Sequence, residues 1–349
     1  MRVAVVTMDT HHTVDTARTR RLLRLTNKLQ DEEDVEVVVC CVQWWGGDVD
    51  SFEHDGVTYR RVTSDRSARR FGLRLPLVLR GIDPDVVHAS YWPPGTAVAA
   101  ASTRWLGRTP VILDWYGDEP VDSDRRTTRS AIRLPTALVT PSVHVETVVR
   151  ELGAADGRTH VIPDGIDLSL VRSQSPADGP DVVTARRLDE HANVDMMLLG
   201  LAELRDRDWS AMVIGDGPAR AAYEQKAAEL RIDDRVSFPG DLPREQMIAH
   251  FKAAHVFVQT AERCPFAREL LYALACGCVG VVDYQEHSAA HELVEAFGRS
   301  FRTTDSEELS EAIVSAGDLE ELSYYEGFES YDWPTVLDRM LGLYDDVLA

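Results

Sequence analysis

The residues best suited to bind a phosphorylated ligand lie in the second half of the chain, beside apolar runs predicted to be strands. Arg186 and Arg187 follow one run, and a guanidinium can donate paired hydrogen bonds to a diphosphate. Phe266 and Ala267 begin a predicted helix, whose free backbone N–H groups attract anions. Another run ends in a tight turn whose backbone N–H groups are candidates to hold a phosphate: Gly215, Asp216, Gly217 and Pro218.

These residues are positioned by an alternation of predicted strands and helices. Predicted strands occur in the first half at 3–7, 35–42, 57–62, 84–90, 110–117 and 137–142, of which 57–62 is the weaker prediction. The runs at 3–7 and 35–42 are almost continuously apolar, as is typical of parallel strands buried on both faces. The pattern restarts in the second half at 181–188, 210–217, 235–240, 255–260 and 278–284. We therefore predict an α/β protein of two Rossmann-like domains, 1–170 and 171–330, facing across a cleft where the carboxyl ends of the strands bind ligands.

The last segment, 331–349, is a predicted amphipathic helix with Val336, Met340, Leu343 and Val347 along one stripe. The sequence leaves two packings open. The helix either covers its own domain or crosses back to the first one.

The charge excludes one class of partner. The chain has 37 basic and 58 acidic residues, a net charge of −21, and only three of the basic residues are lysines. Such a surface argues against nucleic-acid binding, which needs a basic face. It is typical of a salt-adapted host or of an Arg-rich, high-GC genome. Residues 1–170 carry 21 basic and 24 acidic groups, so most of the negative charge lies in the second half.

Other features of the sequence predict where the protein works. No apolar run approaches the roughly 18 residues of a membrane-spanning helix, and the amino-terminal apolar run is shorter than a signal-peptide core. The five cysteines show no metal-ligand spacing, which favours reduced thiols. We expect a cytoplasmic protein without a metal or other cofactor.

Three ordered motifs carry a resemblance: VIPDGID at 161–167, VIGDGP at 213–218 and PFARELLYALACG at 265–277. They resemble the retaining GT-B glycosyltransferases of family 4, with a glycogen-synthase-like second domain. If the acidic, lysine-poor composition reflects salt adaptation rather than a high-GC genome, a halophilic archaeon is the expected host. The resemblance implies a UDP- or GDP-linked sugar donor on the second domain and an acceptor on the first. It adds Leu242 and Tyr272 to the donor side and implies that the last helix returns to the first domain.

The chain departs from this family at several functional positions. The paired glutamates of the family align with Cys264 and Tyr272, and its lysine aligns with Ala192. Tyr116 stands where the family has a histidine, and the loop 8–12 lacks the family's glycines. The family's arginine is matched by Arg187.

Nearby residues are candidates to replace the missing groups. Glu269 lies one helical turn before Tyr272 and is expected to reach the same ribose hydroxyls. His11 is the candidate for the missing histidine, so the catalytic candidates are Glu269, Tyr116 and His11.

The acceptor side is predicted from the first domain. His12 and Trp44 follow the first two strands, where a Trp ring is suited to stack on a sugar or to cap the core. Arg18 and Arg21 belong to a basic cluster over 18–28, and a second cluster covers 125–133. These clusters predict an anionic acceptor, a lipid-linked phosphate sugar or peripheral contact with an anionic membrane, against the alternative of a solvated helix face.

Three hypotheses for the function follow. The first is transfer of a sugar from a nucleotide diphosphate to a glycan or lipid-linked acceptor with retention of configuration. The alternative is a catalytically silent homologue that binds a glycan or serves as a partner subunit, as the lost family residues indicate. A sugar-nucleotide epimerase, ranked lower, would rely on Glu262, Glu269 or Glu292 as acid and base.

Overall fold

A computed structural model describes residues 1–102, 109–119, 125–295 and 297–349, apart from the side chain of Arg125. The chain divides into two compact units. The first comprises Met1–Asp164 together with Trp333–Ala349, and the second is Gly165–Asp332. The first division falls six residues before the boundary expected from the sequence.

The first unit is an α/β unit around one sheet. Its strands are β1 Arg2–Val6, β2 Glu36–Val42, β3 Ser51–His54, β4 Val57–Thr63, β5 Val86–Ser90, β6 Val111–Asp114, β7 Ala137–Thr140 and β8 Thr159–Val161. Its helices are α1 Ala17–Gln30, α2 Ala68–Ile82, α3 Pro94–Ser102, α4 Arg125–Arg133, α5 Val143–Glu151 and α13 Trp333–Leu348. The strand order is β3-β4-β2-β1-β5-β6-β7-β8, and every pairing is parallel except that of β3 with β4.

The second unit repeats the α/β pattern. Its strands are β9 Val182–Ala185, β10 Ala211–Ile214, β11 Val236–Gly240, β12 Val256–Gln259, β13 Arg263–Cys264, β14 Val279–Asp283, β15 His287–Ser288 and β16 Ser300–Thr303. Its helices are α6 Leu168–Ser173, α7 Val194–Glu203, α8 Arg220–Glu229, α9 Arg244–Ala253, α10 Arg268–Ala275, α11 Ala290–Val294 and α12 Ser306–Ala316. A parallel sheet has the order β11-β10-β9-β12-β14-β16, and β13 pairs separately with β15. The predicted α/β class is confirmed.

Helix α1 shows how the sequence defines one of these elements. Thr16 caps its first turn, because the Thr16 hydroxyl accepts a hydrogen bond from the backbone N–H of Thr19. Leu22, Leu25 and Leu29 recur at helical spacing and are buried against the sheet. The inner face of α1 therefore belongs to the core of the first unit.

Helix α13 packs within the first unit, although it follows the second unit in sequence. Trp333, Val336, Leu337, Met340 and Tyr344 are buried in the same hydrophobic cluster as residues of β1, β2 and α1. None of the helices in the described ranges combines the length and apolar character needed to cross a bilayer.

The two ends of the second unit are paired with each other. Ile166 forms a parallel bridge with Asp332, and its N–H donates to the carbonyl of Tyr331 at 2.9 Å. The N–H of Leu168 donates to the Asp332 carboxylate at 3.1 Å. The segments by which the chain enters and leaves this unit are thus held together.

A cluster of charged side chains is buried beneath α1. The Arg21 guanidinium lies 3.1 Å from the Asp114 carboxylate and donates to the carbonyl of Ile162 at 2.8 Å. Asp164 lies 4.0 Å from Arg21 and forms an ion pair with Arg24. Burial alone would raise the pKa of Asp114, but the Arg21 charge outweighs it and holds that pKa below its usual value. The cluster joins α1 to the carboxyl end of β6.

Replacing Asp114 with Asn is expected to lower the free energy of unfolding by about 3–5 kcal/mol, because Arg21 then keeps a buried charge without its nearest carboxylate. Asp83→Asn is the matched control, since Asp83 is exposed and its φ of 53° suits Asn. Urea unfolding at neutral pH measures both variants. A loss below about 1 kcal/mol for Asp114→Asn contradicts the assigned role of the ion pair.

Candidate functional site

The carboxyl end of β9 presents two arginines in different surroundings. The Arg186 side chain is only 16% exposed, lies 3.7 Å from the Asp189 carboxylate and donates to the carbonyl of Arg187 at 3.2 Å. Arg187 is exposed, and no ion pair or hydrogen bond of its side chain occurs within the described residues. Arg187 is therefore available for a ligand, whereas Arg186 is partly engaged.

The turn after β10 is packed tightly against the end of β9. A Cβ atom on Gly215 would lie 1.9 Å from the carbonyl oxygen of Arg186, and one on Gly217 would lie 2.3 Å from that of Leu188. Both glycines have positive φ, 129° and 157°. The two glycines thus allow the close approach of two backbone segments at this edge of the sheet.

Two N–H groups of this turn already have acceptors within the chain. Gly215 N–H donates to the carbonyl of Gly240 at 2.9 Å, and Gly217 N–H donates to the Asp216 carboxylate at 2.7 Å. Pro218 has no N–H. Phosphate binding by this turn stays a prediction, and the Gly217 N–H can take part in it only if the Asp216 carboxylate gives up its bond to Gly217.

Glu269, in the first turn of α10, is held by two arginines. Arg244 from α9 donates to both carboxylate oxygens of Glu269, one at 3.0 Å, and Arg268 donates at 2.8 Å. Burial would raise the pKa of Glu269, but these two charges outweigh it and hold the pKa far below its usual range. Glu269 therefore stays ionised at neutral pH. That state suits the binding of hydroxyl groups and excludes proton donation.

Tyr272, on the same face of α10, forms part of this arrangement. The Arg244 guanidinium lies 4.6 Å from the centre of its ring. Its hydroxyl accepts a hydrogen bond from the N–H of Asp167 at 3.0 Å. Tyr272 thus ties α10 to the segment that enters the second unit.

The other positions of the resemblance carry groups without charge. Ala192 is fully buried, and its carbonyl accepts a hydrogen bond from the Thr260 hydroxyl at 3.4 Å. Burial raises the pKa of the Cys264 thiol, so it is neutral at physiological pH. Phe266 and Ala267 are buried at the start of α10, and Leu242 is half-buried in the loop before α9.

In the first unit, an aromatic cluster lies at the carboxyl edge of the sheet. The His12 ring stacks on Trp44, with centroids 3.9 Å apart and planes 22° apart. Tyr59 and His54 meet Trp44 edge-on, each at 5.3 Å. A small open pocket beside this cluster is lined by His11, His12 and Tyr59 together with polar residues after β1 and apolar residues of α1.

The histidines of this cluster differ in their partners. Nδ1 of His11 lies 3.1 Å from the Asp15 carboxylate. The pKa of His12 is lowered, first by partial burial and then by the neighbouring His54 and His11. His12 is therefore neutral at physiological pH, with its ring over one face of Trp44.

The predicted arginines of the acceptor side are engaged inside the first unit. Arg21 is buried in the cluster with Asp114, and Arg18 is buried with its guanidinium 3.5 Å from Asp118. Tyr116 is also buried, with its ring 5.9 Å from the Arg21 guanidinium. These side chains are buried within the first unit, and their direct contact with a substrate stays a prediction.

Two residues of these edges were not identified from the sequence. Arg244 holds Glu269 and Tyr272 together, and nothing in its local pattern marks it. Glu119 lies after β6, where its two oxygens accept the N–H groups of Tyr116 at 3.0 Å and Gly117 at 2.6 Å. Burial and then the Asp118 charge raise the pKa of Glu119 to about 7. Such a carboxyl group exchanges protons near neutral pH.

Comparison with known families assigns both units. The family described as Glycosyl transferases group 1 matches residues 168–325, and Glycosyltransferase Family 4 matches residues 19–170. The chain belongs to the GT-B glycosyltransferases of family 4.

Among its relatives, this glycosyltransferase is 31% identical to the 2-deoxystreptamine glucosyltransferase of Streptomyces kanamyceticus over 37% of the chain and 38% of the relative. It is 24% identical to the D-inositol 3-phosphate glycosyltransferase of Saccharomonospora viridis over 76% of the chain and 70% of the relative. The chain thus spans well under half the length of the first relative and somewhat over two thirds of the second.

Solved structures agree with the fold of this glycosyltransferase. Sucrose-phosphate synthase from Thermosynechococcus elongatus matches with a TM-score of 0.78 and 16% identity, over 99% of this chain and 98% of the other. Anabaena HepE in complex with UDP matches with a TM-score of 0.79 and 17% identity, over 99% and 100%. Within residues 1–102, 109–119, 125–295 and 297–349, no group of three or more His, Cys, Asp or Glu residues is arranged to hold a metal ion.

Replacing Gly215 with Ala in this glycosyltransferase is expected to lower the free energy of unfolding by roughly 2–5 kcal/mol, because the added Cβ meets the backbone of Arg186 and φ is positive. Gly298→Ala is the control within the same unit, since a Cβ there meets nothing within 4 Å. Urea unfolding compares the two variants. Equal stability of the two would contradict the tight packing of the turn.

Glu119 is expected to make stability depend on pH between about 4.5 and 7. Because its pKa is higher in the folded protein than in the unfolded chain, the unfolded chain loses its proton first as the pH rises. The contribution of Glu119 is full below the unfolded pKa and falls by up to about 3 kcal/mol as the pH rises through the folded pKa.

Urea unfolding of the wild type and of Glu119→Gln, at about pH 5 and about pH 7.5, measures the pH-dependent contribution of Glu119 to stability. The variant is expected to show the smaller loss of stability between the two pH values. Glu33→Gln serves as the control, since Glu33 is exposed and should leave the wild-type pH dependence unchanged. A Glu119→Gln profile parallel to that of the wild type would disprove the assignment.

Proposed function

We propose that the protein transfers a sugar from a nucleotide diphosphate to a hydroxyl group of a glycan or lipid-linked acceptor, with retention of the anomeric configuration. The observation that carries the proposal is the set of side chains at the carboxyl edge of the second sheet. There Arg187 is exposed beside the turn Gly215–Pro218, and Arg244 orients Glu269 and Tyr272 on α10. The edge combines a cation for a diphosphate with an ionised carboxylate for hydroxyl groups.

Each group has a distinct task in the proposed reaction. Arg187 binds the diphosphate and stabilises the negative charge that develops on the leaving phosphate as the bond to the sugar breaks. Glu269, kept ionised by Arg244 and Arg268, accepts hydrogen bonds from the ribose or sugar hydroxyls. No protein nucleophile and no metal ion takes part in this proposal.

The acceptor is proposed to bind at the aromatic cluster of the first unit. The His12–Trp44 stack and the pocket beside it offer ring faces for a sugar-like ring and polar groups for its hydroxyls. The two relatives named above act on 2-deoxystreptamine and D-inositol 3-phosphate, which are both hydroxylated carbocycles. We propose an acceptor with such a polyhydroxylated ring, and His11 as the group that receives its proton.

The alternative of a catalytically silent, glycan-binding homologue is favoured by one set of observations. Ala192 and Cys264 lack charge at positions where the family has a lysine and a glutamate. Tyr272, at the second glutamate position, uses its hydroxyl to bind Asp167. Under this alternative the second unit holds no nucleotide, and the first unit retains the ligand.

Isothermal titration with UDP, GDP and ADP separates the two functions. We expect one of these nucleotides to bind, and Arg187→Ala to weaken that binding by about 10- to 100-fold, the loss of a hydrogen bond to a charged group. Arg207→Ala is the matched control, because Arg207 is exposed in the loop before β10, at the opposite edge of the sheet. It should bind like the wild type.

The outcomes have separate meanings. If the folded protein binds none of the three nucleotides, the silent homologue is the better account. If a nucleotide binds but Arg187→Ala and Arg207→Ala bind it equally well, the donor site lies elsewhere. If binding follows the expected order, incubation with the corresponding nucleotide sugar and nuclear magnetic resonance of the released sugar tests the proposed retention.

A further inference from the structure

One helix of the first unit exposes apolar side chains that its own fold does not cover. Leu73 and Leu77 on α2 are 80% and 73% exposed, more than any other large apolar residue in the described part of the chain. They lie four residues apart and therefore on the same side of the helix. The opposite side, with Phe71, Leu75 and Leu79, is buried in the core.

The exposed side of α2 is cationic as well as apolar. Arg69, Arg70, Arg74 and Arg80 are exposed around the two leucines, and α2 contains no acidic residue. Arg70 pairs with Asp65. Arg69, Arg74 and Arg80 lie in no ion pair within 4.0 Å among the described residues. This helix is strongly basic in a chain whose net charge is −21.

A second helix near α2 is also basic, and the helix α3 that packs on α2 is uncharged. Helix α3 packs closely on α2, since a Cβ on Gly72 would lie 3.3 Å from that of Ala99. Helices α3 and α4 share a core cluster with α2 and also lack acidic residues, while α4 adds Arg126, Arg129 and Arg133. The first unit thus has two basic helices, α2 and α4, that pack in one core cluster, and the two exposed leucines project from α2.

We propose that the exposed side of α2 binds an anionic lipid bilayer, with Leu73 and Leu77 in the boundary between headgroups and acyl chains and the arginines on anionic headgroups. An interfacial helix requires an apolar stripe bordered by cations, which α2 provides. A nucleic acid would use the arginines and leave the leucines in water. The proposal is independent of the donor chemistry proposed above.

This surface differs in part from the one expected from the sequence, because it includes the predicted basic cluster at 125–133 but centres on α2 instead of α1. The basic cluster on α1 is directed inward in part, since Arg18 and Arg21 are buried in ion pairs with Asp118 and Asp114. The arginines of α2 occupy a fully different helix. Leu73 and Leu77 of this helix add apolar surface that can enter the bilayer boundary, which a cluster of charges does not provide.

Flotation with vesicles of phosphatidylcholine containing about 30 mol% phosphatidylglycerol, at about 0.1 M salt, tests the proposal. The wild type is expected to float with these vesicles and to stay at the bottom with pure phosphatidylcholine. The double variant Leu73→Gln/Leu77→Gln should lower the partition coefficient at least about tenfold, and Arg69→Gln/Arg74→Gln/Arg80→Gln about 100-fold.

Matched variants in the second unit control for loss of apolar and of basic side chains. Leu199→Gln/Tyr284→Gln and Arg207→Gln/Arg231→Gln/Arg302→Gln should bind vesicles like the wild type. Since Leu73 and Leu77 are exposed, their replacement should leave the melting temperature unchanged, which a thermal scan of each variant verifies.

Three results would overturn the proposal. One is a folded wild type that stays at the bottom with both kinds of vesicle. Another is flotation that the leucine variant does not weaken. The third is equal binding of a duplex oligonucleotide by the wild type and by Leu73→Gln/Leu77→Gln, with no binding of vesicles by either. That result would assign the basic surface to nucleic acid instead.

Discussion

The buried ion pair between Arg21 and Asp114 is the constraint on which the first unit depends. A charged group in a core is tolerated only when a partner compensates it, so α1 is fixed in position relative to the end of β6. Asp164 extends the cluster to the last residue before the chain enters the second unit. Nε2 of His88 lies 3.5 Å from the Asp114 carboxylate, and Nδ1 of His88 is hydrogen-bonded to the Tyr344 hydroxyl at 2.9 Å. This bond connects α13 to the same network. Side chains of α1, β5, β6, α13 and the segment before the second unit thus meet in one polar cluster.

In the second unit, the carboxyl edge of the sheet leaves a charged side chain exposed for the ligand proposed above. Glycines at 215 and 217 let the turn after β10 lie directly on the end of β9, which leaves Arg187 at the surface. Arg244 compensates Glu269 and packs on Tyr272, so a carboxylate is kept ionised close to the start of α10. Ala192 and Cys264, at positions where the resemblance implies a lysine and a glutamate, contribute no charge to this edge. The remaining cations therefore carry the electrostatics of this edge.

The strands and the fold class were predictable from the sequence because their signal is local. Apolar runs predicted the bounds of β1, β2, β5, β9 and β12 to within a few residues, since parallel strands covered on both faces need such runs. Helix α2 was missed, because a helix that exposes leucines and buries only one stripe has no clean polar face. Strands β3 and β16 were also missed, because short edge strands carry alternating or polar residues.

The sequence by itself determined which residues were present to do chemistry: the arginine pair after β9, the glycine turn, Glu269 and the aromatic residues after β1 and β2. It did not determine their partners, because ion pairs between residues 93 positions apart, such as Arg21 and Asp114, leave no local pattern. Tertiary structure decided that Arg18 and Arg21 serve the core and that Arg244 holds Glu269. It also decided that the leucines of α2 face water. The physical reason is that burial and pairing, which set the charge state and availability of each side chain, arise only when distant segments pack together.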